Sequence, residues 1–119
     1  MAGVVNFRDL QIWQKSMDQC VATYSVSKLL PKDELCGLAS QMRRSSVSVP
    51  SNIAEGFARQ GATFAQHLKI AQGSLKELET QLLICQRLDL LSEGKFVPLH
   101  QLCDEIGRMV RSFSRTIAT

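Results

Sequence analysis

Apolar residues recur along this chain at steps of three and four, in four separate series. Leu10, Trp13, Met17, Cys20 and Tyr24 form the first, and Leu35, Leu38, Met42, Val49, Ile53 and Phe57 the second. Phe64, Leu68, Ala71, Leu75, Leu78, Leu82, Cys85 and Leu88 form the third, and Leu99, Leu102, Ile106, Met109, Phe113 and Ile117 the fourth. Such steps return to the same side of an α-helix, so each series marks the buried stripe of one amphipathic helix. The pattern predicts helices over most of residues 7–30, 33–60, 63–90 and 94–117, with no strand.

Signals at the ends agree. Asn6 can cap the first helix, and Asp9 adds negative charge to its first turn. Pro31 closes it, because the residue before a proline avoids the helical region. Thr63 and Gln66 have the spacing of a capping box. Pro98 is tolerable near the start of the fourth helix, where its nitrogen owes no bond. Pro50 is different, because it falls inside the second helix. It removes one backbone bond and crowds the carbonyl of Ser46, which predicts a kink, or alternatively two helices broken there. Hydroxyls of Ser45, Ser46, Ser48 and Ser51 can bond freed carbonyls. Gly56 offers an earlier end to this helix, with Gly61 the preferred stop.

The connections near Pro31, Gly61 and residues 92–94 are short, which makes successive helices antiparallel neighbours. The expected fold is all-α: an antiparallel up-down-up-down four-helix bundle forming a single domain over residues 1–119. A chain of 119 residues has material for one core. With only 7 glycines and 3 prolines it lacks the turns of a sandwich or barrel.

Candidate chemistry is sparse. The cysteines Cys20, Cys36, Cys85 and Cys103 form no C-x-x-C pair, and His67 and His100 are far apart, so neither a metal nor a cofactor is expected. All four cysteines sit among apolar residues, where a reduced thiol acts as a small hydrophobe. His67 is expected at the edge of its stripe and His100 in solvent. Residues 1–13 lack the basic cap and apolar run of a signal peptide, and no stretch has transmembrane character. The expected place is the cytoplasm, without a membrane partner.

Two polar rows interrupt the stripes. Gln41, Arg44, Ser48, Asn52 and Glu55 share one face of the second helix, and Ser74, Glu77 and Gln81 one face of the third. One reading is an active site of Arg44, Glu55 and Glu77. The other is a buried network of Gln41, Arg44, Asn52, Glu55, Glu77 and Gln81 that fixes helix register. The second fits better, because small residues on both helices close the space that an enzymatic pocket needs. No diiron Glu-x-x-His pair occurs, and neither histidine has a catalytic setting, so no enzyme is expected.

Net charge is only +3, but it is unevenly spread. Arg108, Arg111 and Arg115 step by three and four, and no acid follows Glu105. Arg43, Arg44 and Arg59 weight the second helix the same way. Spaced cations on a rigid face suit phosphates, which makes Arg108, Arg111, Arg115, Arg43 and Arg59 candidate nucleic-acid contacts. The alternative is a solvated face, or subunit pairing with acids such as Asp104 and Glu105. Trp13 and Tyr24 lie on the first stripe, so stacking on single-stranded bases is not expected. Ile12, Val26, Ile70, Leu83 and Val110 fall off the stripes, and some of them are expected to supply subunit contacts.

The segments FRDLQIWQK, LPKDELCGLASQMRRSSVSVPSNIAEGFAR and AQGSLKELETQL together resemble the four-helix-bundle proteins encoded in 23S ribosomal RNA intervening sequences. The resemblance spans about residues 7–113, and the pattern R-x-x-x-S-x-P-x-N-I-A-E-G, from Arg44 to Gly56, carries most of its weight. The fold is also similar to accessory proteins of diversity-generating retroelements. Cys36 stands where that family often has tyrosine. The resemblance implies a left-handed antiparallel bundle, a ring-like homopentamer and no known enzymatic activity. The function it implies is that of a homo-oligomeric accessory protein that binds structured RNA or a ribonucleoprotein through basic surfaces. Five weak sites on one assembly would act at high effective concentration. The alternative is a protein-interaction scaffold that binds no nucleic acid.

Overall fold

A computed structural model describes residues 6–34 and 36–118. It contains α1 (Gln11–Ser27), α2 (Leu38–Arg59), α3 (Gly61–Arg87) and α4 (Glu93–Ala118), and no strand among the described residues. Short 3-10 turns at Phe7–Asp9 and Lys32–Glu34 precede α1 and α2. Each helix touches two others: α1 and α3 both pack on α2 and on α4, while α2 and α4 lie diagonally opposite. The result is the expected four-helix bundle. Its long axis of 45 Å matches the roughly 40 Å of a 27-residue helix at ~1.5 Å per residue.

The third stripe is buried as its spacing predicts, from Phe64 through Cys85; only Leu88 at its end is exposed. The first is rotated. The buried face of α1 is Ile12, Ser16, Gln19, Thr23 and Val26, and Met17, Val21 and Tyr24 turn outward. This polar stripe has a use on α2. That helix runs unbroken through the buried Pro50, which rules out two separate helices. A proline at position 50 offers no N–H to the carbonyl of Ser46. Gln19 supplies the donor instead, with Nε2 at 2.7 Å from that carbonyl. Thr23 Oγ1 donates to Gln19 Oε1 at 3.3 Å and holds the amide in this orientation. The neighbouring serines do not fill this role: Ser46 Oγ donates to the carbonyl of Arg43.

The ends differ from their sequence signals in three places. Asn6 Oδ1 does cap, accepting from Arg8 N at 2.9 Å, but it caps the 3-10 turn and α1 begins only at Gln11. α2 begins at Leu38, whose N–H is taken by Glu34 Oε2 at 3.2 Å; Leu35, expected to open this stripe, lies outside the described residues. Between α2 and α3 only Gln60 intervenes. Gln60 (φ 62°) and Gly61 (φ 60°) reverse the chain, α3 starts at Gly61, and no capping box forms at Thr63.

Of the apolar residues expected at subunit contacts, Ile12, Val26 and Val110 belong to the core. The fourth stripe is centred on Phe96, Leu99, Cys103, Ile106 and Val110 instead. Ile70 and Leu83 are exposed, as are Leu29, Val47, Ile84 and Leu88. No described helix is long and apolar enough to cross a membrane.

Candidate nucleic-acid interface

With Ile106 and Val110 turned into the core, Arg108, Arg111 and Arg115 are carried to the outside of α4, and all three are exposed. Arg108 forms an ion pair with Asp104 one turn earlier, on the surface where such pairs contribute little. Arg111 and Arg115 have no acidic partner among the described residues. The buried Gly107 lets α3 approach on the inner side, where Gln72 Nε2 donates to its carbonyl at 3.0 Å. Lys15 on α1 and Glu105 on α4 are 3.6 Å apart.

The arginines of α2 do not join this stripe. Arg59 is paired with Glu55 at 3.1 Å on the surface. Arg43 is half-buried, with Nε donating to Ser27 Oγ at 2.8 Å and its guanidinium 5.4 Å from the centre of the Tyr24 ring. Because α2 and α4 are diagonal, the five candidate arginines occupy two separate faces of the bundle.

The polar rows need a larger correction. Gln41, Arg44, Glu55 and Glu77 are exposed, and Glu55 is bonded to Arg59, not to the row. What crosses from α2 to α3 is smaller. Ser74 Oγ donates to Ser48 Oγ at 2.7 Å, Asn52 Nδ2 donates to the Ser48 carbonyl at 2.8 Å, and His67 Nδ1 donates to Asn52 Oδ1 at 2.9 Å. Gly56 brings the helices together below this chain: a Cβ there would lie 2.6 Å from His67 Cβ. The long polar side chains flank the contact line and are not on it. Gln41, Arg44, Glu77 and Gln81 line one open groove with Ser45, Ser48 and Ser74. Gln81 Oε1 is the one buried side-chain oxygen or nitrogen without a hydrogen bond among the described residues.

A cleft between α3 and α4, lined in part by Glu79, Cys103 and Arg111, encloses about 20 Å³, room for about one water. His100 is half-buried, against expectation, because Phe96 stacks on it at 5.0 Å and Glu79 Oε2 lies 3.0 Å from its Nε2. The hydrogen bond from Lys76 holds the Glu79 carboxyl below its ordinary range, against the opposing effect of burial. Burial pushes the Cys103 thiol up to about 12, and burial raises Cys85 as well, so both stay protonated and inert. Cys36, in contrast, is exposed. No group of three metal-ligating side chains occurs among the described residues.

The sequence missed Tyr24. The residue is 38% exposed and borders a groove with Ser40, Arg43, Arg44, Val47, Ser48 and Ser51, in which no acid takes part. The available signal was Pro50, which frees the carbonyl of Ser46 and so favours a polar donor such as Gln19 on the inner face of α1.

Comparison with known proteins bears on the whole bundle. A family model described as 23S rRNA-intervening sequence protein matches residues 8–112. A crystal structure of a protein with unknown function from the S23 ribosomal protein family of Bacteroides thetaiotaomicron superposes with a TM-score of 0.79 at 24% identity. The match covers 87% of this chain and 97% of that one. No curated protein matches the chain.

Proposed function

The chain belongs to the 23S rRNA-intervening sequence protein family, and from that premise we propose that it is a homo-oligomeric accessory protein that binds structured RNA through the arginines of α4. The observation that carries the reading is the stripe of Arg108, Arg111 and Arg115, exposed on one rigid helix, with two of its three cations without an acidic partner among the described residues. An arginine fork on a helix can engage a phosphate without reading a base. Three cations are too few for tight binding by one chain, and their addition across an assembly supplies the rest.

Two exposed apolar sets support assembly. Met17 and Val21 stand on α1, and Ile70, Leu83, Ile84 and Leu88 on α3. Unlike patches on different faces favour a head-to-tail contact, which gives a ring where the rotation between subunits closes. The family resemblance supplies the number five. The protein acts in this reading as a binder and not as an enzyme, since the groove that holds Arg44 and Glu77 is open to solvent and Glu55 is drawn off to Arg59. Retardation of a structured RNA at low salt, with light-scattering mass of the free protein, tests both halves. The expected result is an oligomer that shifts RNA of any sequence; a monomer that leaves RNA unshifted refutes it.

A further inference from the structure

We propose a second, distinct RNA contact on the α1/α2 face, where Tyr24 stacks an unpaired base and Arg43 and Arg44 hold the flanking phosphates of a single strand. The proposal rests on the RNA-binding reading and goes beyond the α4 stripe, which has no aromatic residue to recognise an unstacked base.

The geometry is that of a prepared site. The bond from Arg43 Nε to Ser27 Oγ, at 2.8 Å, uses one of five guanidinium donors and fixes the plane of the group. The ring of Tyr24, 5.4 Å from that guanidinium, fixes it from the other direction. The terminal amino groups of Arg43 are left for a ligand. Arg44, the next residue, is exposed and forms no ion pair among the described residues. Ser40 and Ser51 add hydroxyls to the groove wall, and Val47 adds an exposed apolar surface one turn from Arg43.

The composition of this groove selects its occupant. It joins a partly exposed aromatic ring, two cations and hydroxyls, with no carboxylate among its lining residues. A duplex keeps its bases stacked and presents only phosphates, so it has no use for the ring. A single-stranded loop presents both a π-face and phosphates, and base–aromatic stacking tolerates any sequence. An acidic protein segment would satisfy the arginines and leave the ring without purpose.

The test uses the full chain, a short unstructured oligouridylate and a blunt RNA duplex of the same length, with binding followed by anisotropy and oligomer mass by light scattering. Tyr24→Leu is expected to weaken the single strand by at least about fivefold and to leave the duplex within about twofold, since one stacked base contributes ~1–3 kcal/mol. Tyr24→Phe keeps the ring and is expected to bind as the parent does. Arg44→Gln is expected to lower the salt slope for the single strand by about 0.7 of a log–log unit, the value for one lost phosphate. Equal weakening of both RNAs by Tyr24→Leu, a change in oligomer mass, or no change in single-strand binding would each overturn the proposal. If the parent binds duplex but not the single strand, the second contact fails and the α4 reading stands. If the parent binds neither, both fail.

Discussion

Gln19 donates to the carbonyl of Ser46 across the α1/α2 interface, in the place of the backbone N–H that Pro50 lacks. Both residues are fully buried, so this bond has no water to replace it. One proline on α2 thus gives the buried Gln19 and Thr23 of α1 a purpose on the inner face.

Gln19→Leu is expected to destabilise the fold by ~1–3 kcal/mol, the cost of an unsatisfied buried carbonyl. In a Pro50→Ala background, residue 50 regains an N–H that can serve Ser46, and the same substitution should cost at least ~0.5 kcal/mol less. Urea unfolding of the four chains in this cycle measures the difference. Equal costs in the two backgrounds would mean that Gln19 and the proline are independent.

Glycines of α2 and α3 should respond in opposite directions. A Cβ at Gly56 would meet His67 Cβ at 2.6 Å and Phe64 Cδ1 at 2.9 Å, so Gly56→Ala should cost ~1–3 kcal/mol by forcing the helices apart. Gly73 has open space, and Gly73→Ala should add ~0.5–1 kcal/mol through helix propensity. Gln60 holds φ 62° and ψ 176°, a region suited to glycine, and Gln60→Gly should gain about 1 kcal/mol. Thermal melts rank the three variants against the parent.

Thiol reactivity should follow burial. Cys36 should react at once with a water-soluble disulfide reagent, and the half-buried Cys20 more slowly. Cys85 and Cys103 should react only when the chain unfolds, because burial raises both thiols. Rapid reaction of all four in native buffer would contradict the core described above.

Acid should reduce stability through Glu79, chiefly by weakening its bond from Lys76 on the same helix. Its folded carboxyl lies below the ordinary value of 4.5, so the folded state binds fewer protons than the unfolded chain there. The stability it contributes is present above 4.5 and is lost as pH falls through and below that value. Glu79→Gln should therefore flatten the acid limb of the stability–pH curve and leave the alkaline limb unchanged. An unchanged acid limb would show that other carboxylates carry it.

The helices were legible because apolar periodicity needs only local sequence. The α3 stripe is the clearest case, since every residue from Phe64 to Cys85 in that series is buried. The α1 stripe was misread for a non-local reason: Gln19, steadied by Thr23, is inside and bonds the Ser46 carbonyl that a proline on another helix leaves without its N–H. Arg108, Arg111 and Arg115 were legible as one exposed face, since helical spacing alone places them. Arg43 was not, because its partners Ser27 and Tyr24 come from α1. The row of Arg44, Glu55 and Glu77 has helical spacing but flanks the α2/α3 contact, and spacing along one helix does not say how far a face is rotated toward its neighbour.

The salt dependence of RNA binding tests the central claim most directly. Titration of a structured RNA with the parent and with the Arg108→Gln, Arg111→Gln, Arg115→Gln triple variant, over a series of salt concentrations, yields two slopes. Circular dichroism and light scattering should be the same for both chains, since these side chains lie outside the core. The account predicts that the variant binds every RNA more weakly and that its log–log slope is lower by about one unit per lost phosphate contact. Parent and variant with the same affinity and the same slope would contradict it.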